Sequence, residues 1–185
     1  MDRHEYIAAA QTIYGAFSPE ETGTLYDYAC LLKPNSNIVE IGSYSGRSSS
    51  LLGMLARDNN YNLTCVDCFV DFAPGFSSSK EMEEGFHKNM QRVEAKYKLL
   101  VMKSEKAVNI YKDEIDLLFI DGDHRYEGVK TDCQLWLPKL KPEGIVAFHD
   151  YYGSWEGVKK AVDEETSDYL PEVSMQSLIV KRKPR

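Results

Sequence analysis

Two short apolar runs, residues 117–120 and 145–148, flank an amphipathic segment in the second half of the chain. This order is typical of two parallel strands joined by a helical crossover, and the carboxyl ends of such strands meet at one edge of the sheet. Each run ends in acidic and imidazole side chains. These are Asp121, Asp123 and His124 after the first run, and His149 and Asp150 after the second. We therefore expect three carboxylates and two imidazoles at one edge, a cluster that is costly unless a cation or substrate offsets the repulsion.

Strand and helix patterns alternate along most of the chain. The predicted strands cover residues 37–41, 62–67, 99–103, 116–120, 144–148 and, as one final strand, 173–181. The predicted helices between them cover residues 45–57, 80–96, 104–111, 126–137 and 155–165. The alternation predicts an α/β fold of the Rossmann-like, doubly wound kind, with a mostly parallel sheet and helices on both faces.

The N-terminal segment has a helical pattern. Ser18-Pro19-Glu20-Glu21 has the form of a capping box with proline at the first helical position, and predicts a helix to about residue 32. A shorter helix is predicted over residues 5–14. We expect one domain over residues 1–185, with an N-terminal helical cap at 1–34 and a Rossmann-like core at 35–185.

Composition excludes several classes of partner. The formal net charge of −7 argues against a nucleic-acid backbone as the main partner, since that would favour a basic face. The one basic run, residues 181–185, is predicted to be a solvated tail. No apolar run approaches the roughly 20 residues of a membrane span, and the polar N-terminus lacks a secretory core. A cytoplasmic protein without a membrane partner is therefore expected.

Cys65 and Cys68 form a C-x-x-C pair. Such a pair can belong to a metal site or a redox centre, but no second pair completes a zinc site, and the pair overlaps a strand instead of opening a helix. We expect reduced, structural thiols.

A glycine-containing turn, GSYSG at residues 42–46, follows the first predicted strand. Glycine lets a backbone turn sharply and approach a ligand, and the free N–H groups of the next helix can bind an anionic group. The G-x-x-x-G spacing differs from that of dinucleotide folds and of P-loops. Glu40 precedes the turn, and Asp67 closes the second strand at a position suited to a ribose diol. Taken alone, the turn could be only a turn, and Asp67 only a turn residue.

Together these residues resemble a known family. VEIGSYSGRSS and the acid in CVD resemble the cofactor half of class I S-adenosylmethionine-dependent methyltransferases. IDGDHRYEGVKTDCQLWLPKLKPEGIVAFHDYY resembles the second half of the macrocin O-methyltransferase-like and cephalosporin-hydroxylase-like subgroup, which is related to metal-dependent catechol O-methyltransferases. The resemblance implies a seven-stranded sheet, S-adenosylmethionine as cofactor, and O-methylation of a small-molecule hydroxyl on a sugar, phenol or natural product.

The resemblance also implies a role for each matching residue. Cofactor contacts fall on Glu40, Gly42, Ser43, Gly46, Asp67, Cys68, Ser104, Glu105 and Asp121. The implied ligands of a Mg²⁺ or other divalent ion are Asp121, His149 and Asp150. The implied catalytic residues are His124, as general base, with Asp121 and His149. Relatives often carry a second carboxylate at position 149, and imidazole suits Mg²⁺ less well than oxygen, so either a different ion binds or His149 only orients substrate.

The residues alone leave other interpretations open. Asp123 could be a helix N-cap, and His124 and His149 could be ordinary loop residues. The loop at residues 71–79 could form part of a lid over the acceptor, or its aromatic residues could simply pack on the domain. The aromatic residues in question are Phe69, Phe72 and Phe76. Tyr151, Tyr152 and Trp155 could form a wall for a ring, although Trp155 could instead pack its helix on the sheet.

Two other functions remain as hypotheses. One is a nicotinamide-dependent oxidoreductase, against which the G-x-x-x-G spacing counts. The other is a regulatory protein that binds the cofactor without catalysis. A homodimer is a further expectation, because so small a domain with a thin N-terminal cap could complete its pocket with a second copy.

Overall fold

Seven strands form one sheet in the computed structural model, counted over the described residues 1–70 and 73–185. Its order is β3-β2-β1-β4-β5-β7-β6. β1 to β5 pair in parallel, whereas β7 pairs antiparallel with β5 and with β6. The strands are β1 (Asn37–Ile41), β2 (Asn62–Asp67), β3 (Lys98–Val101), β4 (Ile115–Ile120), β5 (Leu140–Phe148), β6 (Leu170–Met175) and β7 (Leu178–Arg182). The predicted α/β, mostly parallel, seven-stranded sheet is confirmed.

Helices cover both faces of this sheet. They are α1 (Arg3–Gln11), α2 (Pro19–Ala29), α3 (Arg47–Asp58), α4 (Ser79–Arg92), α5 (Ser104–Ile110), α6 (Tyr126–Trp136) and α7 (Glu156–Glu165). Neighbouring strand residues point to opposite faces. Ile38 thus packs in one apolar cluster with residues of α1 to α4, and Val39 in a second cluster with residues of α5 to α7.

Both N-terminal helices begin with capping boxes. The Ser18 side chain accepts from the Glu21 N–H, the Glu21 carboxylate accepts from the Ser18 N–H, and Pro19 is the first helical residue, as predicted. α2 ends at Ala29, about one turn earlier than expected. Leu25 and other apolar residues of α1 and α2 join the same cluster as α3 and α4.

The C-terminal end differs from the prediction. Instead of one strand over residues 173–181, β6 and β7 form an antiparallel hairpin, which turns at Gln176 with a φ of +52°. The single-strand prediction is wrong because glutamine and serine give no strong turn signal there. The basic run is also not wholly solvated. Lys181 is buried in β7, and Lys183 Nζ donates to the carbonyls of Leu137 and Leu140.

Membrane insertion through a helix finds no support in the described part of the chain, where every helix is too short or too polar to cross a bilayer.

Candidate functional site

The loop after β1 meets the loop after β4 at Gly42. Its φ is +85°, and its N–H donates to the Val66 carbonyl over 2.9 Å. A Cβ at this position would lie 2.0 Å from the Asp121 carbonyl oxygen. Because no other residue type fits both the conformation and the space, glycine is what brings the two loops together.

The same loop leads directly into α3. Gly46 has a φ of +93° and is the N-cap of that helix, so the first N–H groups of α3 begin at the loop. The buried Ser45 hydroxyl has no hydrogen-bond partner in the described chain. Free amides at a helix start, next to an unpaired hydroxyl, can bind an anionic or polar ligand group.

Glu40 lies fully buried behind this loop. Its carboxylate accepts hydrogen bonds from the hydroxyls of Ser43 at 2.9 Å, Ser48 at 2.6 Å and Ser49. Burial raises the pKa of Glu40 to about 7, although the three hydroxyls act in the opposite direction. Glu40 therefore ties the loop to the first turn of α3.

Asp67 links the loops after β1 and β2. One of its oxygens accepts from the backbone N–H groups of Ser43 at 2.7 Å and Tyr44 at 2.8 Å, and the other from that of Phe69 at 2.6 Å. The side chain is partly exposed at the end of β2, and Cys68 beside it is also partly exposed. A single carboxylate thus holds two loops at the edge where a ribose would lie in a Rossmann-like site.

Asp121, His124 and Asp150 converge at the same edge of the sheet. His124 Nε2 lies 2.8 Å from Asp150 Oδ2 and 3.9 Å from Asp121 Oδ1. One ligand atom from each of the three lies within 4.8 Å of the others, and all three side chains are partly exposed. This set of two oxygens and one nitrogen fits a divalent cation.

Two carboxylates control the charge of His124. Hydrogen bonds to Asp121 and Asp150 raise the pKa of His124 to about 9 against the opposing effect of burial. The two carboxylates therefore favour the protonated imidazole. Asp123 does not join the cluster. It pairs with the exposed Arg125, which is itself the N-cap of α6.

His149 lies behind this cluster, with its side chain only 4% exposed. Its Nδ1 is 3.2 Å from both Asp121 Oδ1 and Asp150 Oδ2. Its Nε2 is 3.0 Å from the Ser177 hydroxyl and 3.5 Å from a Glu21 oxygen. Burial alone would lower the pKa of His149, but the three carboxylates around it outweigh burial and hold that pKa well above its ordinary value.

The positions expected beside an adenine differ in environment. The Ser104 hydroxyl donates to the buried Asp132, whereas Glu105 is exposed on the surface. Burial raises the pKa of Asp132 to about 6, although Ser104 opposes this.

An aromatic surface lies beside His124. The Trp155 ring stacks on His124, with centroids 4.9 Å apart and planes 22° apart, and Trp155 is 49% exposed. Tyr152 is also exposed, whereas Tyr151 is buried. A cleft of about 620 Å³ runs from these residues along α7. Tyr152 and Trp155 are thus exposed beside His124, whereas Tyr151 is not, and Trp155 does not simply pack its helix on the sheet.

Phe69 and Phe76 pack on the domain and do not form a lid over the site. Phe69 is buried against Phe86, at a centroid distance of 5.7 Å, and Phe76 packs on the same cluster. Phe72 and Asp71 lie outside the described residues.

Three residues in this region carried no prediction for the site. The sequence predicts only a capping-box role for Glu21 and gives no sign that a capping glutamate also reaches an imidazole. Ser177 lies in the hairpin turn that was predicted as continuous strand. Asp132 falls at a helical position where an acid normally suggests a solvated face.

The chain resembles known proteins in sequence and in fold. A methyltransferase-domain family model matches residues 39–151, more than half of the chain. Protein y4gI of Sinorhizobium fredii is 31% identical in an alignment of 134 positions that covers 68% of this chain and 15% of that protein. The chain spans between 15% and 53% of the lengths of the first curated relatives it matches.

Solved structures of similar fold include the O-methyltransferase NovP, with a TM-score of 0.74 and 17% identity over 92% of this chain and 84% of that one. The SAH-bound methyltransferase PaMTH1 of Podospora anserina has a TM-score of 0.68 and 17% identity over 99% of this chain and 88% of that one. At such identities the likeness concerns the fold. By the family model and its extent, the chain belongs to the methyltransferase-domain family.

Proposed function

We propose that this protein is an S-adenosylmethionine-dependent methyltransferase that methylates a hydroxyl group of a small molecule. The observation that carries the proposal is the meeting of two groups at one edge of the sheet. The first group is the glycine loop at residues 42–46 together with Asp67. The second is the cluster of Asp121, His124 and Asp150. The two groups meet where Gly42 packs against the Asp121 carbonyl.

The cofactor would lie along the loops after β1, β2 and β3. Gly42, Ser43 and Gly46 would hold its methionine part, and Asp67 and Cys68 would face the ribose and adenosine. Ser104 and Glu105 would lie near the adenine, and Asp121 near the amino group. S-adenosylmethionine supplies a methyl group already activated by a positively charged sulfur. In this proposal Glu40 acts indirectly, because its carboxylate is buried under three serine hydroxyls.

A divalent cation would be held by Asp121 and Asp150. When bound, such an ion lowers the pKa of a substrate hydroxyl that it contacts. Two carboxylate oxygens suit Mg²⁺ and Mn²⁺ alike. We do not assign His149 as a ligand, because both of its ring nitrogens are already within hydrogen-bonding distance of protein oxygens and its side chain is only 4% exposed.

His124 would accept the proton of the acceptor hydroxyl. Its Nε2 faces the two carboxylates at the open side of the cluster, and one nitrogen cannot bind a cation and accept a proton at once. With a pKa of about 9, the His124 ring carries a proton at neutral pH. Positive charge bound by Asp121 and Asp150 would offset these carboxylates and favour the neutral, basic form.

The acceptor would bind on the aromatic surface beside His124. Tyr152 and Trp155 offer exposed ring faces to a sugar, a phenol or another ring-bearing natural product. NovP, a structural neighbour, is an O-methyltransferase. The formal net charge of −7 speaks against a nucleic acid as the acceptor.

Transfer of a labelled methyl group from S-adenosylmethionine to a panel of catechols and glycosides tests the proposal. We expect product with at least one vicinal diol, loss of turnover in EDTA, and recovery with Mn²⁺. Unchanged turnover in EDTA would exclude the assisting cation. Cofactor binding without any product across the panel would instead favour a regulatory protein.

Two alanine variants separate the cofactor role from the cation role. Asp67→Ala should weaken S-adenosylhomocysteine binding about tenfold or more, since it removes the ribose acceptor and the bonds to the Ser43 and Tyr44 amides. Asp150→Ala should change this affinity by less than about threefold, because Asp150 faces the imidazoles. Isothermal titration measures both, and equal losses would contradict the assignment.

A further inference from the structure

Glu21 is a buried carboxylate outside the segment that matches the family model. It belongs to the first turn of α2, and its side chain is only 2% exposed. One oxygen accepts from the N–H of Ser18 at 2.9 Å, which completes the capping box. The other accepts from both the N–H and the hydroxyl of Ser177, at 2.9 and 2.6 Å.

These contacts extend to His149. The Ser177 hydroxyl lies 3.0 Å from His149 Nε2, and the nearer Glu21 oxygen lies 3.5 Å from the same nitrogen. Burial would raise the pKa of Glu21, but hydrogen bonds from His149, Ser177 and the Ser18 amide outweigh it and lower that pKa to about 2. The Phe17 ring packs on the imidazole in a T-shaped arrangement, with ring centroids 5.2 Å apart.

The other side of the imidazole faces the candidate site. His149 Nδ1 lies 3.2 Å from Asp121 Oδ1 and 3.2 Å from Asp150 Oδ2, so one ring nitrogen holds both carboxylates. An imidazole fixed at one nitrogen by a carboxylate or hydroxyl presents its other nitrogen in a fixed direction. Two carboxylates that would otherwise repel each other are thus held at a set separation.

We infer that Glu21 and Ser177 are positioning residues, which act through His149 to hold Asp121 and Asp150 in the geometry that binds cation and cofactor. The inference rests on the proposed function, because it assumes that these two aspartates bind those ligands. In this inference, the N-terminal helices and the C-terminal hairpin both contribute residues that support the site. A purely structural role for Glu21 would be limited to capping α2.

The variants Glu21→Gln and Ser177→Ala test this, with Ser18→Ala as the matched control. Glu21→Gln keeps the shape of the side chain and removes its charge. Ser18→Ala removes the hydroxyl that caps the same helix but leaves the backbone N–H that Glu21 binds, so it weakens α2 without changing the groups around His149. Binding of Mn²⁺ and of S-adenosylhomocysteine is measured by isothermal titration well below the melting temperature of each variant.

We expect Glu21→Gln and Ser177→Ala to weaken Mn²⁺ binding about tenfold and S-adenosylhomocysteine binding about threefold, the effect of losing an outer partner of a ligand-binding residue. Ser18→Ala should lower the melting temperature and leave both affinities unchanged. If the wild type binds S-adenosylhomocysteine but not Mn²⁺, the affinity for S-adenosylhomocysteine alone tests the inference. If Glu21→Gln does not fold, Ser177→Ala alone tests it.

Wild-type affinities in the two test variants would overturn the inference, and so would equal losses in Ser18→Ala. A wild-type protein that binds neither ligand would instead contradict the proposed function itself.

Discussion

At the scale of single residues, the site depends on a position without a side chain. Gly42 combines a φ of +85° with a backbone oxygen 2.0 Å from where its Cβ would be. Gly75 has a similar φ of +92° but no atom within 4 Å of its would-be Cβ. Alanine substitutions at the two glycines therefore separate the free-energy cost of a strained φ from that of a steric clash.

We expect Gly42→Ala to lower the free energy of unfolding by more than about 3 kcal/mol, because a backbone atom must move as well as φ being strained. Gly75→Ala should cost about 1–2 kcal/mol, the strain of a left-handed alanine alone. Urea unfolding of both variants measures the difference. Equal losses would mean that the loops after β1 and β4 can separate freely.

Glu40 makes stability depend on pH. Its pKa of about 7 lies above the ordinary 4.5, so between these values the folded protein holds a proton that the unfolded chain has released. The free energy of unfolding therefore falls as pH rises through this window, by an amount on the order of 3 kcal/mol. Glu40→Gln cannot ionise and should remove this part of the slope. Urea unfolding at pH 5 and pH 8 measures this. An equal change in the free energy of unfolding between the two pH values in wild type and variant would contradict the prediction.

Residue types at the site could be predicted, but their partners could not. The motif residues Asp67, Asp121, His124 and Asp150 lie at the expected edge because strand ends follow from apolar runs. Which atoms His149 contacts depends on Glu21, which is more than a hundred residues away in the sequence. Such a contact leaves no local pattern in the sequence.

At the scale of elements, Arg47 fastens the N-terminal helices to the glycine loop. From the first turn of α3, its Nε donates to the Ile13 carbonyl over 2.7 Å and its guanidinium to the Phe17 carbonyl over 2.8 Å. These two hydrogen bonds fix the segment between α1 and α2, which carries Phe17 against His149.

Arg47→Ala should lower the free energy of unfolding by about 1–3 kcal/mol, since two backbone carbonyls lose a charged donor. Arg92→Ala is the control. Arg92 donates to the Thr12 hydroxyl near the same segment, but at an exposed position, and its loss should cost less than about 0.5 kcal/mol. Denaturant titration of both variants is the measurement, and a small effect of Arg47→Ala would show that packing alone holds the segment.

Among the elements, β1 to β5 and the helices between them could be predicted to within four residues at each end, because apolar runs and helical periods mark them. The β6–β7 hairpin could not, since Gln176 takes a φ of +52° without glycine, asparagine or proline nearby. The difference matters for the site, because the missed turn carries Ser177 to His149.

At the scale of the whole molecule, parallel strands bring distant parts of the chain to one edge. The order β3-β2-β1-β4-β5 places the loops after β1, β2 and β4 side by side, and β5 delivers His149 and Asp150 next to Asp121. The sequence pattern predicts this gathering. The closing contacts from the first helices and the last hairpin, which lie outside the residues matched by the family model, appear only in the folded chain.

The most direct test of the central claim is the thermal stability of the wild-type protein with S-adenosylhomocysteine and, separately, with NAD. A ligand that binds only the folded state raises the melting temperature, and by more as its concentration rises above its Kd. We predict a concentration-dependent rise with S-adenosylhomocysteine and none with NAD. A rise with NAD alone would contradict the methyltransferase assignment.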